Sequence, residues 1–207
     1  MFRQPNFEGV TPSAAEVPEY SKEERKLLLR LAHGAIAAKL HKQELDTAAP
    51  SAHLAELRGA FTSLHRGGQL RGCIGYVMPL YPLYRTVADT AVAAAFHDPR
   101  FMPVTTGELA ELEIEISVLS LPVPIKPEEV EIGRHGLIVT LGNARGLLLP
   151  QVPVEWGWDR EKFLSETCRK AGLPPDAWKR GARLESFTAE VFGEGEQPAP
   201  ERYGTQS

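Results

Sequence analysis

The stretch AFTSLHRGGQLRGCIGY, residues 60–76, decides how the rest of the chain is read. Two strand-like runs flank Arg66-Gly67-Gly68-Gln69, so the pattern predicts a β-hairpin with arms at Ala60–His65 and Leu70–Tyr76. Inside the returning arm, Gly72 and Gly75 bracket Cys73. Glycines within a strand mark a bulge or the close approach of another group. On a regular strand, Arg71 and Cys73 point to one face, and a guanidinium beside a thiol favours the thiolate. The segment therefore predicts a reactive thiol or an anion pocket walled by bare backbone. The plain alternative is a small buried hydrophobe between tight turns, because cysteine is among the most buried residue types.

Outward from the hairpin, helices and strands intermix. Ser21 and Glu24 have capping-box spacing and open a helix running to about Gln43, with Leu28, Leu31, Ala35, Ile36 and Leu40 as its apolar stripe. A second helix begins near Pro82, buries Leu83, Val87, Ala91 and Ala94 or Ala95, and stops before Pro99. LEIEISVLS, from Leu112, alternates apolar with polar and reads as a strand with one buried face and one wet face. After a proline-rich link, Gly136–Leu141 and Leu147–Leu149 form a second hairpin around Gly142–Gly146. Asp159 caps a helix to Ala171 carrying Phe163, Leu164 and Cys168. One last strand is expected from Ala182 to Phe192. The class is α/β in the α+β sense, with a sheet at least partly antiparallel. Residues 1–20 read as an extended arm, 21–193 as the folded domain, and 194–207 as a disordered tail.

Composition narrows the function. The 207 residues include 23 Lys plus Arg, 27 Asp plus Glu and two cysteines, with a net charge of -4. A chain this long buries about 70% of its unfolded surface without staples. The acidic balance argues against a nucleic-acid binder, although the basic run at Arg180–Arg183 keeps an RNA-linked role in view. Two distant cysteines make neither a disulfide scaffold nor a zinc site. No apolar run reaches the ~18–20 residues of a membrane helix, and residues 1–20 show no secretory signal, so a cytoplasmic location is expected. No phosphate-binding loop, dinucleotide fingerprint, nucleophile elbow or zinc-protease motif occurs. The sequence calls for no metal and no cofactor.

Two further segments concentrate polar chemistry. Phe96-His97-Asp98-Pro99-Arg100-Phe101 gathers an imidazole, a carboxylate and a guanidinium at a helix end. His97 is a candidate base beside Cys73, and Asp98 and Arg100 are candidate substrate ligands. The alternative is dipole compensation plus a turn-fixing ion pair. Gly133-Arg134-His135-Gly136 reads as an anion-binding loop with a titratable His135, or simply as a solvated turn. Cys168 on its helix stripe reads as an inert core thiol.

LRGCIGYVMPL, the segment from AVAAAFHDPRF to SVLS, and IGRHGLIVTLGNARGLLLPQV through AGLPPDAW together resemble the AMMECR-one domain, known in prokaryotes as AmmeMemoRadiSam system protein A. The resemblance covers about residues 21–193 in matching order. It implies two subdomains. The larger has a mixed sheet flanked by helices, the smaller is mainly antiparallel, and the LRGCIG segment lies in or near the cleft between them. It implies a Memo-like protein and a radical-SAM enzyme as partners. It implies no particular reaction, and the oligomeric state stays open. Two readings compete. In one, an enzyme or enzyme subunit binds a small anion, with Cys73, His97 and His135 as catalytic candidates and Arg71, Gly72, Gly75, Asp98, Arg100 and Arg134 as substrate-binding candidates. In the other, a non-catalytic module docks those partners.

Overall fold

The structure is a computed structural model and describes residues 19–44 and 50–194. The expected arm and tail lie outside the described residues apart from Glu19, Tyr20 and Glu194. Those three are not extended into solvent on their own. The Tyr20 ring is buried and stacks on His53, and the backbone N–H groups of Glu19 and Tyr20 donate to Glu190.

Two four-stranded sheets stand side by side. The larger has the order β2-β1-β3-β8, from Gln69–Tyr76 (β2), Ala60–Arg66 (β1), Leu112–Leu119 (β3) and Ala189–Gly193 (β8). Two helices, α1 (Lys22–His41) and α2 (Leu83–Phe96), pack on one of its faces. Ser21 and Glu24 form the expected capping box on α1. The buried stripe of α1 is Leu28, Leu29, Ala32, Ala35 and Ile36, while Leu31 is only partly covered. The smaller sheet has the order β4-β7-β5-β6, from Val123–Pro124 (β4), Arg183–Phe187 (β7), Gly136–Leu141 (β5) and Ala144–Leu148 (β6). A one-turn helix α3 (Gln151–Glu155) leads to α4 (Arg160–Lys170), which Asp159 caps by accepting from the Lys162 N–H. Phe163, Leu164 and Cys168 of α4 pack on Leu137, Val139 and Leu184.

The α+β class and the smaller β unit agree with the expectation. Three details differ. Every described pairing is antiparallel, so the larger sheet is not mixed. Its strands are joined by a hairpin and by helix returns that reverse direction, and no parallel crossover arises. The second hairpin turns on Gly142-Asn143 alone, so Ala144–Gly146 belong to β6. The expected last strand is two strands in different sheets. β7 joins the small sheet, the chain breaks at Thr188, and β8 crosses to the large sheet beside β3. The sheets meet at Leu119, Ile138 and Phe187, which pack with Phe61 and Val77.

Candidate functional site

β2 is an edge strand, and its register is irregular. Arg66 pairs with Gln69 and His65 with Leu70, as a tight Gly67-Gly68 turn requires. Beyond that the register slips, and Leu64 faces Gly72 while Ser63 faces Cys73. Arg71 is the extra residue of a β-bulge. The slip decides where the thiol goes, because a shift of one residue exchanges the two faces of a strand. Leu64 belongs to the helix-facing core, and Thr62 bonds Thr90 of α2 at 2.8 Å, so those positions define the inner face. Gly72 and Ile74 lie on that face, and Cys73 lies on the other.

Each glycine of the segment has a packing partner. A Cβ at Gly72 would collide with the Ala94 carbonyl of α2, and one at Gly75 with the Phe61 ring. Close packing gives both glycines a structural reason. Gly72 lets the helix lie on the strand, while Gly75 seats the Phe61 ring that reaches into the junction between the sheets.

The thiol is half-buried. The Ser63 hydroxyl donates to Cys73 Sγ at 3.2 Å. Asp98 and Arg100 cap the backbone edge of β2. The Cys73 N–H donates to Asp98 Oδ2 at 2.9 Å, and Arg100 Nη2 donates to the Cys73 carbonyl at 3.3 Å. Arg100 closes on Asp98 through Nε–Oδ1 at 2.9 Å and Nη2–Oδ2 at 2.7 Å. Together they stand where a neighbouring strand would, and they satisfy groups that an open edge leaves bare. Asp98 is buried, and the Arg100 guanidinium beside it holds its carboxyl well below the usual range, helped by the Cys73 N–H. Arg100 keeps more than half its side chain exposed, and its Nη1 has no acceptor among the described residues. Asp98 in turn holds the Arg100 guanidinium above its ordinary value.

Arg71 does not share the Cys73 face as a regular strand would place it. Its Nε and Nη2 donate to the Glu108 carboxylate at 2.9 and 3.3 Å. That contact, with the Thr105 N–H, holds the Glu108 carboxyl down at about 2. Arg71 Nη1 is buried without an acceptor among the described residues. His97 caps the C-terminus of α2 through its backbone, and its exposed imidazole meets no described partner. His135 and Arg134 sit elsewhere, in the turn before β5. The Glu131 N–H donates to His135 Nδ1 at 3.1 Å, and Arg134 pairs with Glu131 at 3.1 Å. The structure thus brings Cys73, Asp98 and Arg100 together, leaves Arg71 one bulge away, and sets Arg134 and His135 in the turn that enters the second sheet.

Four residues near the thiol were not among the candidates. Ser63 faces Cys73 on one side and Glu115 on the other, and His65 faces Glu113 one pair along. A thiol, a hydroxyl and a carboxylate therefore stand in one row across three strands. The wet-face alternation Glu113-Glu115-Ser117 signals the carboxylates, but their proximity to Cys73 requires the bulged register. Cys168 is fully buried, and burial pushes its thiol up, as its helix stripe implies. Among the described residues no cluster of three or more His, Cys, Asp or Glu could hold a metal ion, and no helix is long and apolar enough to cross a membrane.

Fold and site define a two-sheet α+β protein whose marked feature is a glycine-bracketed cysteine turned out of the core at a capped sheet edge. The family profile AMMECR1 matches residues 29–192, and the chain belongs to that family. Relatives include Protein TK0174 of Thermococcus kodakarensis, 44% identical over 82% of this chain and 89% of its own length. Protein MK0488 of Methanopyrus kandleri is 44% identical over 87% of this chain and 93% of its own length. The crystal structure of the uncharacterized protein PH0010 from Pyrococcus horikoshii is similar, with a TM-score of 0.69 and 46% identity over 82% of this chain and 90% of that one.

Proposed function

We propose that the protein is an enzyme or enzyme subunit of the cytoplasm that receives a small anionic substrate beside Cys73. The carrying observation is the bulge, which turns a half-buried thiol out of the core next to a guanidinium with donors to spare. In this reading Cys73 is the nucleophile or anchor, Ser63 steadies the sulfur, and Arg100 Nη1 holds the anionic group. Asp98 is a positioning residue, since it acts through the Cys73 backbone and Arg100. Glu115, across Ser63, is a candidate proton acceptor.

Charge-selective alkylation tests this. Iodoacetamide should modify Cys73 and leave Cys168 untouched in the folded protein. Anionic iodoacetate should gain at Cys73 relative to iodoacetamide, compared with free cysteine, and Arg100→Gln should remove the gain. An iodoacetate-to-iodoacetamide ratio equal to that of free cysteine sinks the anion reading.

A second reading, docking of a Memo-like protein or a radical-SAM enzyme, is supported by one observation. Tyr76 ends the Cys73 strand, Met78, Leu80 and Tyr81 come just after it, and all four are exposed, Leu80 at 66%. Such a run marks an interaction surface. Co-expression with those partners should co-purify a complex that Leu80→Asp weakens. A tagged protein that elutes alone removes this reading.

A further inference from the structure

The junction between the sheets holds an opening of about 350 Å³. Cys73 does not line it. One wall is apolar, from Met78 and Pro79 after β2 and Pro122 before β4. The opposite wall is the junction face of the small sheet, with Thr140 of β5, Arg145 of β6, and Arg183 and Glu185 of β7. The register sets Arg145 and Arg183 opposite Thr140 on its two neighbouring strands. Two guanidiniums thus flank one hydroxyl in a single row. Directly opposed side chains start only ~5 Å apart at Cβ, so both long arms reach a group seated over Thr140.

Charge selects the ligand. Arg183 bonds Glu185, whose side chain is only 10% exposed. No carboxylate among the described residues pairs with Arg145, which is exposed. Two cations and one anion leave one positive charge over. That balance suits a monoanion and opposes a dianion, which Glu185 would repel. A guanidinium fork matches a carboxylate in plane and spacing. Met78, Pro79 and Pro122 offer the facing wall to a short hydrocarbon. The volume falls at the small end of the ~300–1,000 Å³ range of small-molecule sites.

We infer that this junction cleft binds a monocarboxylate with a short apolar tail, its carboxylate on Arg145, Thr140 and Arg183 and its tail against Met78, Pro79 and Pro122. Glu185 holds Arg183 in place and limits the site to one negative charge. The assignment is independent of chemistry at Cys73.

The test is an NMR titration of the full chain with 4-methylpentanoate, set against 4-methylpentanamide and inorganic phosphate. The carboxylate should bind saturably at one site. The amide and phosphate should bind about tenfold more weakly or worse, as loss of a charge-assisted contact implies. Arg145→Gln should weaken the carboxylate by about tenfold with an unchanged Tm, because the side chain is exposed and unpaired. Cys73→Ala should bind as the parent does. Absence of saturable binding, equal affinity for the amide, tighter phosphate binding, an unaltered Arg145→Gln, or loss of binding in Cys73→Ala would each overturn the assignment.

Discussion

The hairpins at 60–76 and 136–148 are built from the same parts. Each turns on two residues with Gly67 or Gly142 at positive φ. Each returning strand lies at a sheet edge and carries a glycine against a helix, Gly72 on Ala94 of α2 and Gly146 on Ala171 at the end of α4. Each places another glycine under a cross-strand aromatic, Gly75 beneath Phe61 and Gly136 beneath Phe187. The difference is confined to two devices. The first hairpin slips at Arg71 where the second keeps one register throughout. Among the described residues, only the first has its edge backbone capped by a carboxylate–guanidinium pair. The shared parts are therefore scaffolding, and the slip and the cap are what set the Cys73 strand apart.

That comparison is open to attack, most strongly at the shared glycines. Gly72→Val and Gly146→Val should each cost about 3 kcal/mol in denaturant unfolding, because the new side chain meets helix backbone that has nowhere to move. A Gly146→Val protein within ~0.5 kcal/mol of the parent would show that the hairpins are not equivalent. Asp98→Ala should cost about 2 kcal/mol, since it strands the Cys73 N–H and frees Arg100. Arg145→Ala on the other edge should stay within ~0.5 kcal/mol. Equal costs would remove the cap as a distinguishing device.

A further effect appears in acid. The folded Glu108 carboxyl titrates at about 2 against an ordinary 4.5, with Arg71 as the main cause. A depressed folded value adds stability above the unfolded value, and that stability is lost as pH falls through the folded one. The parent should therefore lose stability between about pH 4.5 and 2, and Glu108→Gln should flatten that part of a stability-versus-pH curve. A variant curve parallel to the parent's would mean that the bulge residue is not anchored by Glu108.

Local chemistry made most elements readable from the chain. Ser21 with Glu24, Asp159 and the Gly67-Gly68 turn carry their own start and stop signals, and the structure uses all of them. What stayed hidden depends on partners far along the chain. The glycines at 72 and 75 mark a bulge or a close approach, but nothing local says which, or puts the bulge at Arg71. Without it Arg71 and Cys73 share a face, which is why Arg71 was expected beside the thiol rather than on Glu108. The break at Thr188 was hidden for a similar reason. Residues 182–192 look like one strand until two separate sheets claim its halves. Asp98 and Arg100 were visible as an ion pair, but their grip on the Cys73 backbone spans 25 and 27 positions.

The double allegiance of residues 183–193 has a consequence for how the molecule is made. On a ribosome the chain through β6 and α4 emerges before this segment does. Until it arrives, β3 has an unpaired flank and β5 lacks a neighbour, so both sheets wait on one late eleven-residue strip. Its partner at Glu115–Leu119 lies about seventy residues back, a long loop to close. Assembly of the two halves is thereby synchronised. Neither sheet completes much ahead of the other, and the junction with its opening takes shape in the same closing step.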